Sequence, residues 1–363
     1  MNSSTFNSDC HRRYVKWLYG IVFFPAFALY VLGIYLEPIY GDLTRVGLYD
    51  ERSFGWQQPQ LAFLKPLYEQ GKYVRYHDMV VLGDSFSIAR PRQQWQNYIV
   101  AATDWSVVTV DVDKFKWEKL LESQIFRDSP PKVLVMQSVE RSFIGRIKDG
   151  QSCDAERAAT QFGSVSSRPV IAIEPRIVNI EKSLKYFDRP RAWDKVKLGF
   201  VMKYSWKTLL RTVTGIESKN ARKIDLTREA PFSSVRKREM LVYKEDVLKA
   251  SSWREMDLSE MDCRIERIRK KVEANGRTKF VLMIAPDKLT AYKDFIVDRN
   301  LHDLSLLTQL SARHPDIIPR TDLALTAAIG SGKLDVYLPD DTHWGSTGHR
   351  IVAETVLDFL RSP

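Results

Sequence analysis

The sequence predicts an α/β fold built on a parallel sheet, and three observations support this prediction. Short apolar runs of strand length alternate with amphipathic stretches of helix length over residues 79–137 and again from residue 279 onward. Strands that alternate with helices form parallel sheets through right-handed crossovers. The run Met79–Leu82 leads directly into Gly83-Asp84-Ser85, which places a serine at the carboxyl edge of the sheet, where ligands bind in such folds.

The predicted strands are short apolar segments, most of them followed by a polar turn or a helical pattern. They are Met79–Leu82, Ser106–Val112, Lys132–Gln137, Lys279–Ala285 and Asp335–Leu338. Helices are predicted from the serine to about Ala102, over Phe115–Phe126, and as the last element of the chain. Two more helices are predicted between Ser234 and Asn275, with Gly276 as their stop.

The first 40 residues differ from the rest of the chain. Trp17–Leu36 is a run of twenty residues without a charge, about the length that spans a bilayer core. Three cations precede this run (Arg12, Arg13 and Lys16). Because positive residues stay cytoplasmic, residues 1–16 are expected inside and residues 41–363 outside. A cleaved signal peptide is the alternative, although the run is long for one and no small-x-small site follows it.

Positive charge is concentrated in an insertion of about residues 142–276, between the third and fourth predicted strands. Arg176–Arg238 holds 17 Lys or Arg against 6 Asp or Glu, a net charge of +11, whereas the whole chain carries +10. Aromatic residues are interspersed with these cations. Such a segment can contact lipid headgroups or an acidic polymer, or it can be a solvated helical face. Nucleic acid is not expected as a partner outside the membrane.

The cysteines predict no metal site, because none of the three stands in a metal-ligand spacing. Cys10 falls on the predicted cytoplasmic side. Cys153 and Cys263 fall on the exported side, where they can pair or remain two buried thiols.

The candidate catalytic residues lie at the two ends of the exported part. A serine hydroxyl is a poor nucleophile near neutral pH unless a base removes its proton. For Ser85 the predicted base is His343, which lies just before the last helix, with Asp341 to orient the imidazole and stabilise the imidazolium. Asp340 is the alternative orienting carboxylate. A surface histidine without catalytic function is the alternative for His343.

Four stretches resemble the alginate O-acetyltransferase group (the AlgJ/AlgX type) of the SGNH, or GDSL-like, hydrolase superfamily. They are Gly41–Arg45 with Gly55-Trp56, Gly83–Ser87, Pro286-Asp287-Lys288 with Tyr292, and Asp341-Thr342-His343-Trp344. The resemblance implies an SGNH-hydrolase-like, flavodoxin-like three-layer fold and a triad of Ser85, His343 and Asp341. In the alginate proteins the Asp-x-His motif precedes the serine, whereas here it follows the serine. The resemblance therefore implies a permuted relative, whose polysaccharide need not be alginate.

The oxyanion hole is the part of the site that the motifs leave open. SGNH enzymes usually add a glycine after the second strand and an asparagine after the third. Here those strands end in Val110-Asp111-Val112-Asp113 and Gln137-Ser138-Val139-Glu140-Arg141. The backbone N–H of Ser85 remains a donor, and Gln137 or Arg141 is the candidate for a second one. The alternative is that Glu140 and Arg141 form a structural ion pair.

The resemblance implies a membrane-anchored O-acetyltransferase that moves an acetyl group through a serine ester onto an exopolysaccharide or a cell-envelope glycan. No cofactor is expected in this chain. The resemblance implies that the acetyl group comes from cytoplasmic acetyl-CoA through a multi-spanning membrane acyltransferase partner. The catalytic domain would then lie in the periplasm, on a single-pass anchor in the inner membrane. An SGNH-type carbohydrate esterase and a non-catalytic polysaccharide-binding scaffold remain the alternatives.

Overall fold

The computed structural model describes residues 8–36, 40–147, 171, 173, 180–189, 198–215, 218 and 220–362. The strands within these ranges are β1 (Gln60–Phe63), β2 (Glu69–Gln70), β3 (Met79–Gly83), β4 (Val107–Asp111), β5 (Val133–Val139), β6 (Leu184–Phe187), β7 (Ala221–Asp225), β8 (Glu239–Tyr243) and β9 (Lys279–Ala285). The central sheet has the order β2-β4-β3-β5-β9, and each neighbouring pair in it is parallel. The predicted α/β class with a parallel sheet is confirmed.

Most of the helices are short. They are α1 (Ser8–Leu18), α2 (Phe24–Leu36), α3 (Asp42–Gly47), α4 (Glu51–Phe54), α5 (Ser85–Ile88), α6 (Trp95–Thr103), α7 (Trp117–Glu122), α8 (Gln124–Asp128), α9 (Glu140–Ile147), α10 (Leu198–Thr214), α11 (Lys244–Glu255), α12 (Leu258–Glu273), α13 (Lys288–Ala291), α14 (Leu307–Arg313), α15 (Thr321–Gly330) and α16 (Ser346–Arg361). Short 3₁₀ turns occur at Ile180–Ser183, Lys293–Phe295 and Arg299–Leu301.

The central sheet separates two apolar cores, which makes the domain three-layered. Successive side chains of a strand point to opposite faces. Met79 and Val81 of β3 therefore pack in the core that α6, α15 and α16 complete, whereas Val80 and Leu82 pack in the core of α7, α8, α9 and α12. Because both faces are covered, the strands are apolar almost throughout, as in parallel sheets generally.

The predicted strand at Asp335–Leu338 is wrong. Its contact is a single antiparallel bridge between Tyr337 and Trp344, outside the central sheet. Asp335 has a φ of 51°, in the left-handed region, so the chain turns there instead of extending. The fifth strand of the sheet is β2, at the opposite edge from β9.

Two predicted helices are each divided in the structure. The helix expected from the serine to Ala102 is α5 followed by α6, because Arg90 precedes a proline and has a φ of 55°. The helix expected over Phe115–Phe126 is α7 followed by α8. Ser123 is extended between these two and caps α8 by accepting a hydrogen bond from the N–H of Phe126.

The described part of the insertion contains strands as well as helices. β6 pairs antiparallel with β1 of the lead-in segment, and β7 and β8 form an antiparallel pair. The predicted helix pair before Gly276 is α11 and α12, and Gly276 has a φ of 67°. Cys263 in α12 is disulfide-bonded and Cys10 is free, while Cys153 lies outside the described residues.

The N-terminal helix runs through α1, a π-helical turn at Tyr19–Phe23, and α2. Its segment Asp9–Gly33 is, within the described residues, the one helix long and apolar enough to cross a membrane, and its apolar window is not buried by the protein. This helix is consistent with single-pass anchoring of the chain in a membrane.

Five charged residues form a buried ion cluster beside the carboxyl ends of β5 and β9. Nζ of Lys249 lies 2.9 Å from Oε2 of Glu140 and 3.0 Å from Oδ2 of Asp287. Nη1 of Arg141 lies 2.6 Å from Oδ1 of Asp287 and 3.1 Å from Oδ1 of Asp246. Glu140 and Arg141 thus both form structural ion pairs, as one alternative expected, but not with each other: Glu140 pairs with Lys249, and Arg141 pairs with Asp246 and Asp287. The cluster connects α9, α11 and the turn after β9.

Replacing Lys249 by Met should lower the free energy of unfolding by about 3–5 kcal/mol, because it leaves the carboxylates of Glu140 and Asp287 buried with less compensation. Urea unfolding of the full chain in detergent would measure this loss. Arg350→Ala breaks the exposed pair with Glu354 and serves as the control, with an expected change below about 1 kcal/mol. Equal stability of the two variants would contradict the assigned role of the cluster.

Candidate active site

The serine motif forms a tight turn at the carboxyl end of β3. Asp84 caps α5 by accepting a hydrogen bond from the N–H of Phe86 at 3.0 Å. Gly83 is required here, because a Cβ at this position would lie 2.5 Å from Cβ of Ser87. Ser85 is exposed, whereas Ser87 is buried and donates its hydroxyl proton to Gln137 at 2.8 Å. Of the two serines in the motif, Ser85 is the one that a substrate can reach.

Gln137, on the neighbouring strand β5, holds this turn through two hydrogen bonds to Asp84. Its Oε1 accepts a hydrogen bond from the backbone N–H of Asp84 at 3.0 Å, and its Nε2 donates to Oδ1 of Asp84 at 2.9 Å. Arg141, the other candidate for a second oxyanion donor, belongs to the buried ion cluster. Both side chains are engaged in structural contacts, so neither enters the mechanism proposed below.

Asp341 and His343 are in direct contact. Nδ1 of His343 lies 2.6 Å from Oδ1 of Asp341, and the backbone N–H of His343 donates to the same oxygen at 3.0 Å. Nε2 of His343 is buried and has no hydrogen-bond partner among the described residues. Asp340 makes no such contact, since within the same ranges its carboxylate oxygens lack a hydrogen-bond partner. Of the two adjacent carboxylates, Asp341 is therefore the one that orients the imidazole.

The serine turn and the histidine loop meet at Phe86. The centroid of its ring lies 4.9 Å from that of His343 and 4.8 Å from that of Trp344. Ser85 adjoins Phe86, and no hydrogen bond joins the Ser85 hydroxyl to His343 within the described part of the chain. Catalytic hydrogen bonds are often long in the free enzyme and tighten in the substrate complex. The structure thus brings together the turn and the base, and leaves the serine–histidine bond unformed.

Arg90 is a site residue that the sequence analysis missed. Its guanidinium pairs with the second carboxylate oxygen of Asp341, which is fully buried. Although burial opposes ionisation, Arg90 and His343 hold the pKa of Asp341 well below its usual range. Arg90 therefore keeps the orienting carboxylate charged. The available signal was the Arg90-Pro91 pair, because a residue before proline ends a helix close to the serine.

The lead-in segment also reaches the site. Oδ2 of Asp42 lies 3.5 Å from Nδ1 of His343. The backbone N–H of Leu43 donates to the carbonyl of Asp340 at 3.0 Å, and a Cβ on Gly41 would lie 2.2 Å from that carbonyl oxygen. The Gly41–Arg45 stretch is therefore part of the candidate site.

Asp42, Asp341 and His343 are the described residues whose donor atoms are close enough together to hold a metal ion. The guanidinium of Arg90, paired with Asp341, already supplies positive charge at this position. A divalent cation would be repelled by it, so the cluster fits a hydrogen-bonded imidazole better than a metal centre.

Lys288 supports the histidine loop from inside the protein. Burial lowers the pKa of its ammonium to about 8. It donates to three backbone carbonyls at 2.8–3.3 Å, those of Leu338, Pro339 and Asp341. The hydroxyl of Tyr337 in turn donates to the carbonyl of Pro286 at 2.6 Å. The Pro286-Asp287-Lys288 stretch therefore holds the loop that carries the base.

Arg146 contacts the turn after β4 and the end of β5, the two strands after which SGNH enzymes usually have a glycine and an asparagine and this sequence has neither. Its guanidinium contacts the carboxylate of Asp84 and donates to Oγ of Ser138 and to Oδ1 of Asp113, both at 2.9 Å. It thereby connects the ends of β3 and β5 with the turn after β4. Like Arg90, it was missed, because no local pattern distinguishes it.

A cleft of about 350 Å³ opens at the β4 side of the serine turn. It is lined by Gln70, Gly71, Lys72, Ile88, Thr109, Val110, Asp111, Lys114 and Phe115. It shares Ile88 with the helix of the serine but includes neither Ser85 nor His343. We therefore do not place the reaction in it.

Asp340 predicts a pH effect on stability. Burial and the neighbouring Asp341 raise the pKa of Asp340 to about 7, while an unfolded aspartate titrates near ~3.9. The folded state keeps this proton through that interval, so wild-type stability falls as the pH rises from about 4 to 7. Asp340→Asn removes this loss, and its melting temperature relative to wild type should be higher at pH 8 than at pH 5.

Thermal unfolding at the two pH values would measure the difference. Asp358→Asn, at an exposed position of α16, is the control and should show the same difference at both. A pH-independent effect of Asp340→Asn would mean that Asp340 is ionised throughout.

Comparison with known families gives a match to the C-terminal third of the chain. Residues 239–363 match the family model described as SGNH hydrolase-like domain, acetyltransferase AlgX. The matched segment contains Asp341 and His343, whereas Ser85 lies outside it, toward the N-terminus. No curated protein and no solved structure matches the chain. The resemblance indicated by the motifs is confirmed over the matched segment, which is similar to the SGNH hydrolase-like domain of the acetyltransferase AlgX.

Proposed function

We propose that this protein is a membrane-anchored O-acetyltransferase that moves an acetyl group through Ser85 onto hydroxyls of an exopolysaccharide or a cell-envelope glycan. One observation carries the proposal. The imidazole of His343 is bonded at Nδ1 to the buried Asp341, and its Nε2 has no partner among the described residues, beside a turn that exposes a serine. This is how a serine nucleophile is activated in acyl transfer.

In the first half-reaction, Oγ of Ser85 attacks the carbonyl carbon of the acetyl donor while its proton passes to Nε2 of His343. Asp341 stabilises the imidazolium that forms. The backbone N–H of Ser85 donates to the developing oxyanion. When the tetrahedral intermediate collapses, the bond to the leaving group breaks, and the leaving group takes the proton from Nε2. The product is an acetyl ester of Ser85.

In the second half-reaction, a sugar hydroxyl gives its proton to Nε2 and attacks the acetyl-serine. The tetrahedral intermediate collapses with cleavage of the Ser85 ester bond, and Oγ takes the proton back. Arg90 and Lys288 act as positioning residues, since they contact Asp341 and its loop and not the reacting atoms.

The direction of transfer rests on two supports, namely the acetyltransferase description of the matching family and the N-terminal apolar helix. An esterase would use the same residues with water as the acceptor, and a scaffold would not use them at all. We also propose that the donor is charged from cytoplasmic acetyl-CoA by a multi-spanning membrane acyltransferase. The anchor would then hold the catalytic domain at the periplasmic side of the inner membrane.

An activated acetyl ester, p-nitrophenyl acetate, should acetylate Ser85 in the purified full chain, and Ser85→Ala should abolish the labelling. Ser251→Ala, which removes an exposed serine of α11, should label like wild type. Mass spectrometry of the tryptic peptides locates the ester. With an oligosaccharide acceptor added, a transferase yields acetylated sugar, whereas an esterase releases acetate at the same rate with or without sugar. Labelling that persists in Ser85→Ala would contradict the proposal.

The adjacent carboxylates provide a matched pair of variants. Asp341→Asn should reduce turnover of the ester by roughly 10⁴-fold, as expected where the carboxylate fixes the tautomer of a catalytic histidine. Asp340→Asn should change turnover by less than about tenfold, because Asp340 does not contact the imidazole. Steady-state kinetics at pH 7 would measure both. A larger loss in Asp340→Asn than in Asp341→Asn would reverse the assignment.

A further inference from the structure

Helix α10 carries an exposed apolar stripe. Four large side chains are between 56% and 74% exposed, namely Met202, Trp206, Leu209 and Val213. Their spacing of four, three and four residues places them on one face of the helix. The helix contains no acidic residue, and the exposed Lys203 lies on the flank of the stripe.

The opposite face of α10 is attached to the lead-in segment. Val201 is buried. The guanidinium of Arg211 lies over the ring of Tyr49, 4.2 Å from its centroid, and donates to the carbonyl of Gly47 at 2.6 Å. Gly47 is the last residue of α3, the helix that places Asp42 beside His343. The position of α10 is therefore coupled to the active site.

Helix α10 also contacts α2, the second half of the apolar N-terminal helix. Over residues 24–33 of α2, the residues that are not exposed are Ala26, Leu29 and Gly33, whose spacing of three and four places them on one face. Two of the three are small, and small residues let two helices approach closely within a membrane. The other large side chains of this span stay exposed, as expected for a surface covered by lipid. The apolar stripe thus belongs to a helix that packs directly on the membrane span.

We propose that α10 is an interfacial membrane helix whose stripe Met202, Trp206, Leu209 and Val213 inserts into the outer boundary of the bilayer that the anchor spans. Basic amphipathic helices with Trp and Leu on the apolar face bind at the boundary between lipid headgroups and acyl chains, and Trp is favoured at the membrane–water interface. The exposed Lys203 extends toward the lipid phosphates. The proposal depends on the anchoring part of the proposed function but not on its chemistry.

The consequence concerns access to the active site. Asp42 follows Leu36, the end of α2, by six residues, which reach at most about 20 Å. α10 adds a second attachment on the same lead-in segment. Both hold His343 near the bilayer surface, so an acetyl donor embedded in the membrane can reach it without leaving the membrane plane.

The test places a benzophenone amino acid at position 206 or 213 of the full chain in native membranes, followed by irradiation and mass analysis of the adducts. Lipid adducts are expected at both positions. Val74, which lies between β2 and β3 and at 73% exposed matches Val213 at 74%, is the control position and should give none. The same result is expected in a Ser85→Ala background, because the contact does not need catalysis.

Other outcomes overturn the proposal. Adducts with a protein alone would identify the stripe as a protein interface, and the absence of any adduct would make it a solvated face. Lipid adducts at Val74 as well would show that the reaction is not specific to α10. Release of the full chain from membranes by alkaline carbonate would instead refute the anchor. These results are distinguishable from a loss of acetyl transfer, which the crosslinking does not measure.

Discussion

The buried carboxylate of Asp341 is the group on which the arrangement of the site depends. One oxygen accepts from the imidazole of His343, the other pairs with Arg90, and the backbone carbonyl of the same residue accepts from Lys288. A charged group is tolerated in the interior only when such partners compensate it. Because Arg90 comes from the serine region, compensating this charge also holds that region against the histidine loop, while the contact of Lys288 with the backbone carbonyl attaches the turn after β9 to the same loop.

The same principle applies to the serine. Asp84 is buried directly before Ser85, and it is held by Gln137, by Arg146 and by the N–H of Phe86. The nucleophile itself is exposed and carries none of these contacts. The polar contacts therefore fix the backbone of the turn, while the hydroxyl remains available to a substrate.

The lead-in segment links the N-terminal apolar helix to the candidate site. Asp42 and Gly41 contact the histidine loop, and they follow the apolar helix after only a few residues. The attachment of Arg211 to Gly47 brings a basic helix to the same place. One short stretch of chain thus connects the apolar helix with the candidate site.

Much of this organisation follows from the sequence alone. Apolar runs of strand length predicted β3, β4, β5 and β9, and an uncharged run of membrane length predicted the N-terminal helix. The chemical needs of a serine nucleophile singled out Ser85 and His343, with Asp341 and Asp340 as the two candidates for the orienting carboxylate. These predictions depend on side-chain periodicity, on length and on neighbouring residue types, all of which are local properties of the chain.

The tertiary structure decided the rest. The choice between Asp341 and Asp340 depends on which of two adjacent carboxylates contacts the imidazole, and the backbone between Leu338 and His343 settles it through carbonyls held by Lys288. Arg90 pairs with Asp341 across 251 residues of sequence. Such pairs have no period and no fixed spacing, since each depends on the packing of elements that are distant in sequence. For this reason the sequence predicted the nucleophile and the base of the candidate site, and the fold alone revealed the charges that hold them.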